Sequence, residues 1–262
     1  MSDTPLERLR TVVARLRAPG GCPWDREQTH ASLRTALVEE TYEILAAIEA
    51  GDDGNFCEEL GDLLLHVVMH AQMASERGVF DFDDVARGIT EKMVRRHPHV
   101  FGEARLADSA AVLVRWDEIK RQEKALADGN AAGEPSRMDG LPPSLPALMR
   151  AQKLQEKAAK VGFDWPDIRG VRDKVREEMA EVESATSETV EEEIGDLLFS
   201  AVNLARWHRL DAETALRHAT DKFARRFRHV EAALRARGQV WEAATFEELD
   251  ALWNEAKAAG QS

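Results

Sequence analysis

The sequence predicts an all-α protein built from two tandem helical bundles. Three observations lead there. No stretch of the 262 residues alternates apolar and polar side chains as a half-buried strand would. Capping residues and glycine or proline stops bracket runs of helical length. Blocks of the first half return in the same order in the second, which is the mark of an internal repeat.

Taken in order, Met1 to Arg17 reads as an amphipathic helix with Thr4 as N-cap, Pro5 in the first turn and Glu7 closing a capping box. Its charged start is not that of a secretory signal peptide. The segment Ala18 to Asp25, with Pro19, Gly20, Gly21 and Pro23, is predicted to be a surface loop that helical structure cannot cross. Helices follow from about Ser32 to Ala50 and from about Phe56 to Arg77, joined by a turn at Gly51 to Gly54. Asp81 caps the next, which must stop at His97 because Pro98 follows, and Ser109 caps a fifth carrying Trp116 and Lys120. Residues 124–143 are rich in Ala, Gly, Pro and Ser and read as a linker. Helices resume from about Ser144 to Lys160, closed by Gly162, then Val171 to Ala185, Val190 to Arg209, Asp211 to Arg237 and Phe246 to Ala259, the last opened by a Thr245/Glu248 capping box. The domains that result are 1–123 and 144–262.

With 35 basic against 48 acidic residues the net charge is −13. Nucleic-acid binders usually show a basic patch and a pI above about 9, so no DNA or RNA partner is expected. A polyanionic small molecule still fits if metal ions and a few local cations offset the field. Two cysteines, Cys22 and Cys57, suit a reducing compartment. The longest apolar run, Leu63 to Met69, contains His66 and is far shorter than the roughly 20 residues a membrane span needs. A soluble cytoplasmic protein with no membrane partner is expected.

The repeat consists of four blocks. Glu39-Glu40-Thr41-Tyr42-Glu43 matches Glu177-Glu178-Met179-Ala180-Glu181, and Glu59-Leu60-Gly61-Asp62 matches Glu193-Ile194-Gly195-Asp196. Lys92-Met93-Val94-Arg95-Arg96 matches Lys222-Phe223-Ala224-Arg225-Arg226, and Trp116 to Lys120 matches Trp253 to Lys257. The offsets drift between 130 and 138 residues, as changed loop lengths would produce.

Residues three or four apart share a helix face, so Glu178 with Glu181 and Glu193 with Asp196 make carboxylate pairs on two helices. Asp196 interrupts an apolar stretch (Leu197, Leu198, Phe199, Ala201, Val202) that should pack inward, where a carboxylate is costly unless paired or holding a metal. Gly195 inside a helix costs about 1 kcal/mol against alanine, which suggests that something approaches closely there. Four carboxylates brought together cannot all stay ionised without a cation between them. An all-oxygen set of this kind suits Mg²⁺, with Mn²⁺ as a substitute. In so acidic a chain one Glu-rich helix alone would read as a solvated face; its recurrence argues for a site. The Lys-x-x-Arg-Arg cluster suits phosphate, and an aromatic near a lysine suits a base. Singly, Lys222, Arg225 and Arg226 also fit a solvated face and Trp253 a core position; together, and twice over, the blocks describe a nucleotide polyphosphate site. No Cys, Ser or His stands out as a nucleophile.

At these residues the chain resembles the MazG nucleoside triphosphate pyrophosphohydrolases of the all-α NTP pyrophosphatase superfamily, whose signature is Glu-Glu-x-x-Glu followed by Glu-x-x-Asp. The likeness extends through Gly21-Cys22-Pro23-Trp24-Asp25, Arg96-His97-Pro98-His99-Val100-Phe101, Leu145-Pro146-Ala147-Leu148 and Val161-Gly162-Phe163-Asp164-Trp165, and covers nearly the whole chain. One departure is that 11 residues separate Glu181 from Glu193 where 15 separate Glu43 from Glu59. The resemblance implies Mg²⁺-dependent hydrolysis of NTPs and dNTPs to the monophosphate and pyrophosphate, on a helical bundle completed by dimerisation. It makes Glu178, Glu181, Glu193 and Asp196 the metal ligands and catalytic set, and places Lys174, Glu177, Glu178, Asp196, Lys222, Phe223, Arg225, Arg226 and Trp253 around the nucleotide. A specialised pyrophosphatase for one non-standard nucleotide and a catalytically silent, metal-dependent nucleotide sensor or scaffold are the competing readings.

The halves are not equivalent. Lys174 has Ala36 as its counterpart, and Asn203 has Met69, so the second half carries an extra cation and an extra carboxamide where phosphate would lie. The C-terminal half is expected to be the catalytic one, with the N-terminal set Glu40, Glu43, Glu59 and Asp62 structural, regulatory or narrower in activity. His66 and His70, spaced i, i+4, have the spacing of a zinc pair, but with no Cys or acidic ligand set beside them apart from Glu59 and Asp62 they read as ordinary helix histidines.

Overall fold

A computed structural model describes residues 4–103, 105, 108–127 and 136–260. Among the described residues there are helices and no strand, and contacts group the chain into two compact units, residues 1–131 and 132–262. The protein is all-α.

The first unit opens with α1 (Pro5–Arg17), whose capping box closes as expected: the Glu7 N–H donates to Thr4 Oγ1 and the Thr4 N–H to Glu7 Oε2. The loop expected over Ala18 to Asp25 is shorter than that, because Pro23 sits at the first position of a short helix, α2 (Pro23–Glu27), where its missing N–H costs nothing. α3 (Arg34–Ala50) ends on Gly51 in the left-handed region. α4 (Asp53–Glu76) starts earlier than expected, since the Asp52 carboxylate accepts from the N–H groups of Gly54 and Asn55 and draws both into the first turn. α5 (Phe82–Arg96) has an Asp81/Asp84 capping box and stops before Pro98, which instead opens α6 (Pro98–Phe101). α7 (Ser109–Ala127) is capped by Asp108, which accepts from the Ala111 N–H, and not by Ser109, which is its first helical residue. The helix therefore runs four residues into the expected linker, and residues 128–135 of that linker lie outside the described residues.

Val13 of α1 packs with Leu33 and with Val68, Met69 and Met73 of α4, and Leu9, Leu65 and Phe82 close around them. Arg17 straps the end of α1 down. Its guanidinium donates to both Glu76 oxygens, from Nε at 2.9 Å and Nη2 at 2.8 Å, and to the carbonyl of Gln28 at 3.3 Å.

The second unit contains α8 (Ala147–Ala159), α9 (Ile168–Ser184), α10 (Val190–Trp207), α11 (Ala212–Ala236), a 3-10 turn at Trp241–Ala243 and α12 (Phe246–Ala259). α9 begins before the expected Val171 because Asp167 caps it, accepting from the Arg169 N–H at 2.8 Å. α12 has the expected Thr245/Glu248 capping box. α9 and α10 form the most closely packed helix pair of the unit, α8 packs on α10 and α11, and α12 on α11. Val230, Leu234 and Leu252 form the core of the α11/α12 pair. Buried Gln155 of α8 donates to the Phe199 carbonyl of α10 at 2.8 Å, fixing the depth at which the hairpin sits.

Candidate active site

The α9/α10 hairpin carries the C-terminal acids. Glu178 is 3% exposed, whereas Asp196 is exposed and Glu193 half-buried. The expectation that Asp196 points into the core is therefore wrong: Leu198 and Phe199 beside it are also exposed, and although Val202 further along is buried, this part of the α10 stripe is not covered by the described residues of its own unit. The buried carboxylate is Glu178. Its Oε1 accepts from Lys174 Nζ at 2.8 Å, one turn earlier, and its Oε2 is buried with no partner. Lys174 also donates to Glu177 at 2.7 Å, and these two acids push its ammonium pKa up.

Glu178, Glu193 and Asp196 each place an oxygen within 4.8 Å of the others, an arrangement that could hold a metal ion. Glu181 stands outside that trio, beside Glu178 on the same face of α9. Lost hydration, followed by its interaction with the Glu178 carboxylate, pushes its carboxyl up. An oxygen-only set whose buried member keeps one oxygen without a partner fits a hard divalent cation, since a buried carboxylate oxygen left unsatisfied is otherwise unfavourable. The first unit does the same with a different trio, Glu40, Glu43 and Glu59. There Asp62 acts on Glu40 through its charge: lost hydration, then Asp62 and Glu43, push the Glu40 carboxyl up against the opposing pull of His66.

The difference in spacing between the hairpins lies in their arms. α3 runs seven residues past Glu43 and α4 starts six before Glu59, whereas α9 and α10 extend only three beyond Glu181 and before Glu193.

Within its own chain Gly195 has no close neighbour. A Cβ there would meet nothing within 4 Å beyond the helix's own neighbouring turns, and the same holds for Gly61, so none of the other described residues approaches either. Gly170 does have one: a Cβ would stand 2.4 Å from the Trp165 ring, which lies across the first turn of α9. Asp164, next in sequence, takes both Nη atoms of Arg206 at 2.9 and 2.6 Å and the Trp207 indole N–H at 3.3 Å. Asn203 is part of this anchor, its Oδ1 accepting from Arg206 at 2.9 and 2.7 Å, and so holds α10 to the Asp164 loop. Sequence reasoning missed Asp164 and Arg206 as site supports. Their signal was Gly-Phe-Asp-Trp itself, whose glycine sits at φ +85° and whose tryptophan requires Gly170.

The cationic block forms a second group. Phe223 and Trp253 rings lie 5.0 Å apart, and the Arg226 guanidinium is 5.9 Å from the Trp253 ring centre. Trp253 also packs on the Val230, Leu234 and Leu252 core, so it is half core and half surface. Lys222, Phe223 and Arg225 are exposed. Among the described residues no hydrogen bond, ion pair or ring contact joins this group to the acidic trio.

His66 and His70 of α4 do not form a compact metal set. Their rings are 6.4 Å apart; His66 Nε2 is 3.8 Å from Glu40 Oε1, and His70 Nδ1 meets His30 Nδ1 at 2.8 Å. Burial, then the charges of His30 and His66, hold His70 below the usual histidine range.

Fold and site together define a class: an all-α protein of two repeated units, each with an acidic helical hairpin able to hold a metal. Comparison with known proteins narrows it. The MazG nucleotide pyrophosphohydrolase domain matches residues 28–101 and 169–231, that is, both hairpins, and the chain belongs to the MazG family. It is 47% identical over 259 residues to a nucleoside triphosphate pyrophosphohydrolase of Escherichia coli K12, covering 96% of this chain and 97% of that one. Against the nucleoside triphosphate pyrophosphohydrolase/pyrophosphatase MazG of Thermotoga maritima it is 46% identical over 252 residues, with 96% and 95% covered. YabN of Bacillus subtilis is 47% identical over 254 residues, 95% of this chain and 51% of that protein.

Proposed function

We propose that the protein hydrolyses nucleoside triphosphates, ribo and deoxy alike, to the monophosphate and pyrophosphate, with Mg²⁺ as metal and Mn²⁺ as a working substitute. The observation that carries this is Glu178, buried with an unpartnered oxygen among Glu193 and Asp196; near-full-length similarity to two proteins named for that reaction supports it. Water adds across the anhydride between the first and second phosphates, and pyrophosphate leaves.

The catalytic unit is the C-terminal one, residues 144–262, following an N-terminal domain 1–123 and a linker 124–143. Glu178, Glu181, Glu193 and Asp196 would hold the metal, which when bound supplies neutralisation of the phosphate chain and a lowered pKa for water. Glu178, through the carboxylate oxygen that coordination would leave free, takes the water's proton. Lys174 leaves its paired acids to meet phosphate, Lys222, Arg225 and Arg226 grip the polyphosphate, and Glu177, Phe223 and Trp253 line the nucleoside. The chain acts as a cytoplasmic homodimer in which the exposed Met179, Ile194, Leu198 and Phe199 of the acidic hairpin pack against their equivalents. Among the described residues no helix is long and apolar enough to cross a membrane.

Incubation with each NTP and dNTP, with and without Mg²⁺, followed by chromatography, should give monophosphate and pyrophosphate only with metal. Exchange of Glu178 and Glu181 for Gln should abolish it. Diphosphate and orthophosphate as products, or unchanged turnover in the double variant, would overturn the assignment.

A further inference from the structure

The two Lys-x-x-Arg-Arg blocks are equivalent in sequence but not in partnership. In the first unit both arginines are taken by one acid of α7: Arg95 Nε donates to Glu123 Oε1 at 2.6 Å, and Arg96 donates to Oε2 from Nε at 3.0 Å and Nη2 at 2.6 Å. Arg96 and Glu123 are largely buried, with side chains 17% and 22% exposed. In the second unit the position equivalent to Glu123, seven residues after the repeated tryptophan, is Gly260, and among the described residues no acid pairs with Arg225 or Arg226.

A carboxylate held by two guanidiniums through separate oxygens makes the same contacts that two oxygens of a phosphate chain would make. We propose that the N-terminal unit contains a second polyphosphate-binding site, formed by Arg95 and Arg96, which Glu123 keeps closed as an internal stand-in for phosphate. The proposal rests on the reading of the C-terminal block as a phosphate grip. It adds what that reading lacks, a reason in the fold for one unit to bind and the other to stay silent while each keeps its acidic trio. The ligand class is a linear polyphosphate, free or carried by a nucleoside.

Glu123 competes at an effective concentration far above that of any free anion, because α5 and α7 are already packed together. Removing its charge leaves Arg96 with little solvent and no anionic partner, which favours an incoming anion over an empty site.

The test is equilibrium binding of a non-hydrolysable nucleoside triphosphate analogue with Mg²⁺, and of inorganic tripolyphosphate, to the full chain and to E123Q. The expected result is one site per chain in the wild type and two in E123Q, with tripolyphosphate raising the Tm of E123Q by several degrees more than that of the wild type. Turnover by the C-terminal unit should stay within about twofold in E123Q. If the substitution prevents folding, Glu123→Met, of equal length and without charge, replaces it. Two sites in the wild type, or a single site with no added Tm response in a folded variant, overturns the closed-site proposal. No site in the wild type overturns the reading of the C-terminal block instead, and a site gained in E123Q would still uphold this one.

Discussion

At the scale of single residues, Lys174 holds the buried Glu178 carboxylate in the absence of metal. It is the only cation paired with Glu178 among the described residues, at 2.8 Å, and its side chain is 37% exposed. Removing one member of a fully buried ion pair costs about 3–5 kcal/mol, but solvent reaches this lysine, so about 1–2 kcal/mol is expected for Lys174→Met. The loss should depend on metal. Without Mg²⁺ the variant melts below the wild type, and with saturating Mg²⁺ the gap closes, because the ion would supply the charge that Lys174 supplied. Thermal melts of both proteins with and without Mg²⁺ check this, and a gap unchanged by Mg²⁺ would remove the metal from Glu178. The acids were legible in the sequence because carboxylates at repeated three-residue spacing are rare by chance. Which of them is buried was not legible. Glu178 and Asp196 both flank apolar residues, and only the rotation of α9 against α10 decides that Glu178 is enclosed and Asp196 is not.

At the scale of elements, caps and stops were readable because they act within one turn, as at Thr4/Glu7, Asp81 and Thr245/Glu248. The four- and five-residue helices α6 and α2 were missed because so few residues show no period, and their prolines read equally as helix starts and as loop residues. The tie between α1 and α4 yields a pH prediction. The Arg17 hydrogen bonds hold Glu76 below its ordinary 4.5, overcoming partial burial, with Gln72 assisting. Since the folded value is depressed, the unfolded chain binds more protons between the two values. The stabilisation is thus complete above about 4.5 and is lost as pH falls through the folded value. Glu76→Gln should therefore lower stability by about 1–2 kcal/mol at pH 7 and by less at acid pH, as denaturant titrations at several pH values would show. A pH-independent difference would mean that packing, not charge, ties the two helices. Gly195 allows a sharper comparison. With nothing within 4 Å of a Cβ, Gly195→Ala should stabilise an isolated chain by about 1 kcal/mol. If a partner subunit packs there, the same change should weaken the dimer, which sedimentation at several concentrations would reveal.

At the scale of the whole molecule, the acidic hairpin exposes Ile194, Leu198 and Phe199, and among the described residues no hydrogen bond, ion pair or ring contact joins it to the arginine-aromatic group; the proposed dimer would account for both. Large apolar side chains adjacent to a cluster of carboxylates are poorly suited to remain in water, since each gains about 25 cal/mol per Å² on burial. The sequence shows that stripe but not what covers it, because an apolar face on α10 reads identically whether its cover comes from the same chain or from another. Dimerisation makes a quantitative demand on activity. If the site is complete only when two chains associate, specific activity must fall on dilution, approaching proportionality to protein concentration once most chains are single. Sedimentation over the same range should show mass falling from two chains to one with the same midpoint. Leu198→Asp should move both midpoints together to at least tenfold higher protein concentration without touching a metal ligand. Specific activity that stays constant while the mass halves would show that one chain carries a complete site, and that the exposed face of α10 serves some purpose other than catalysis.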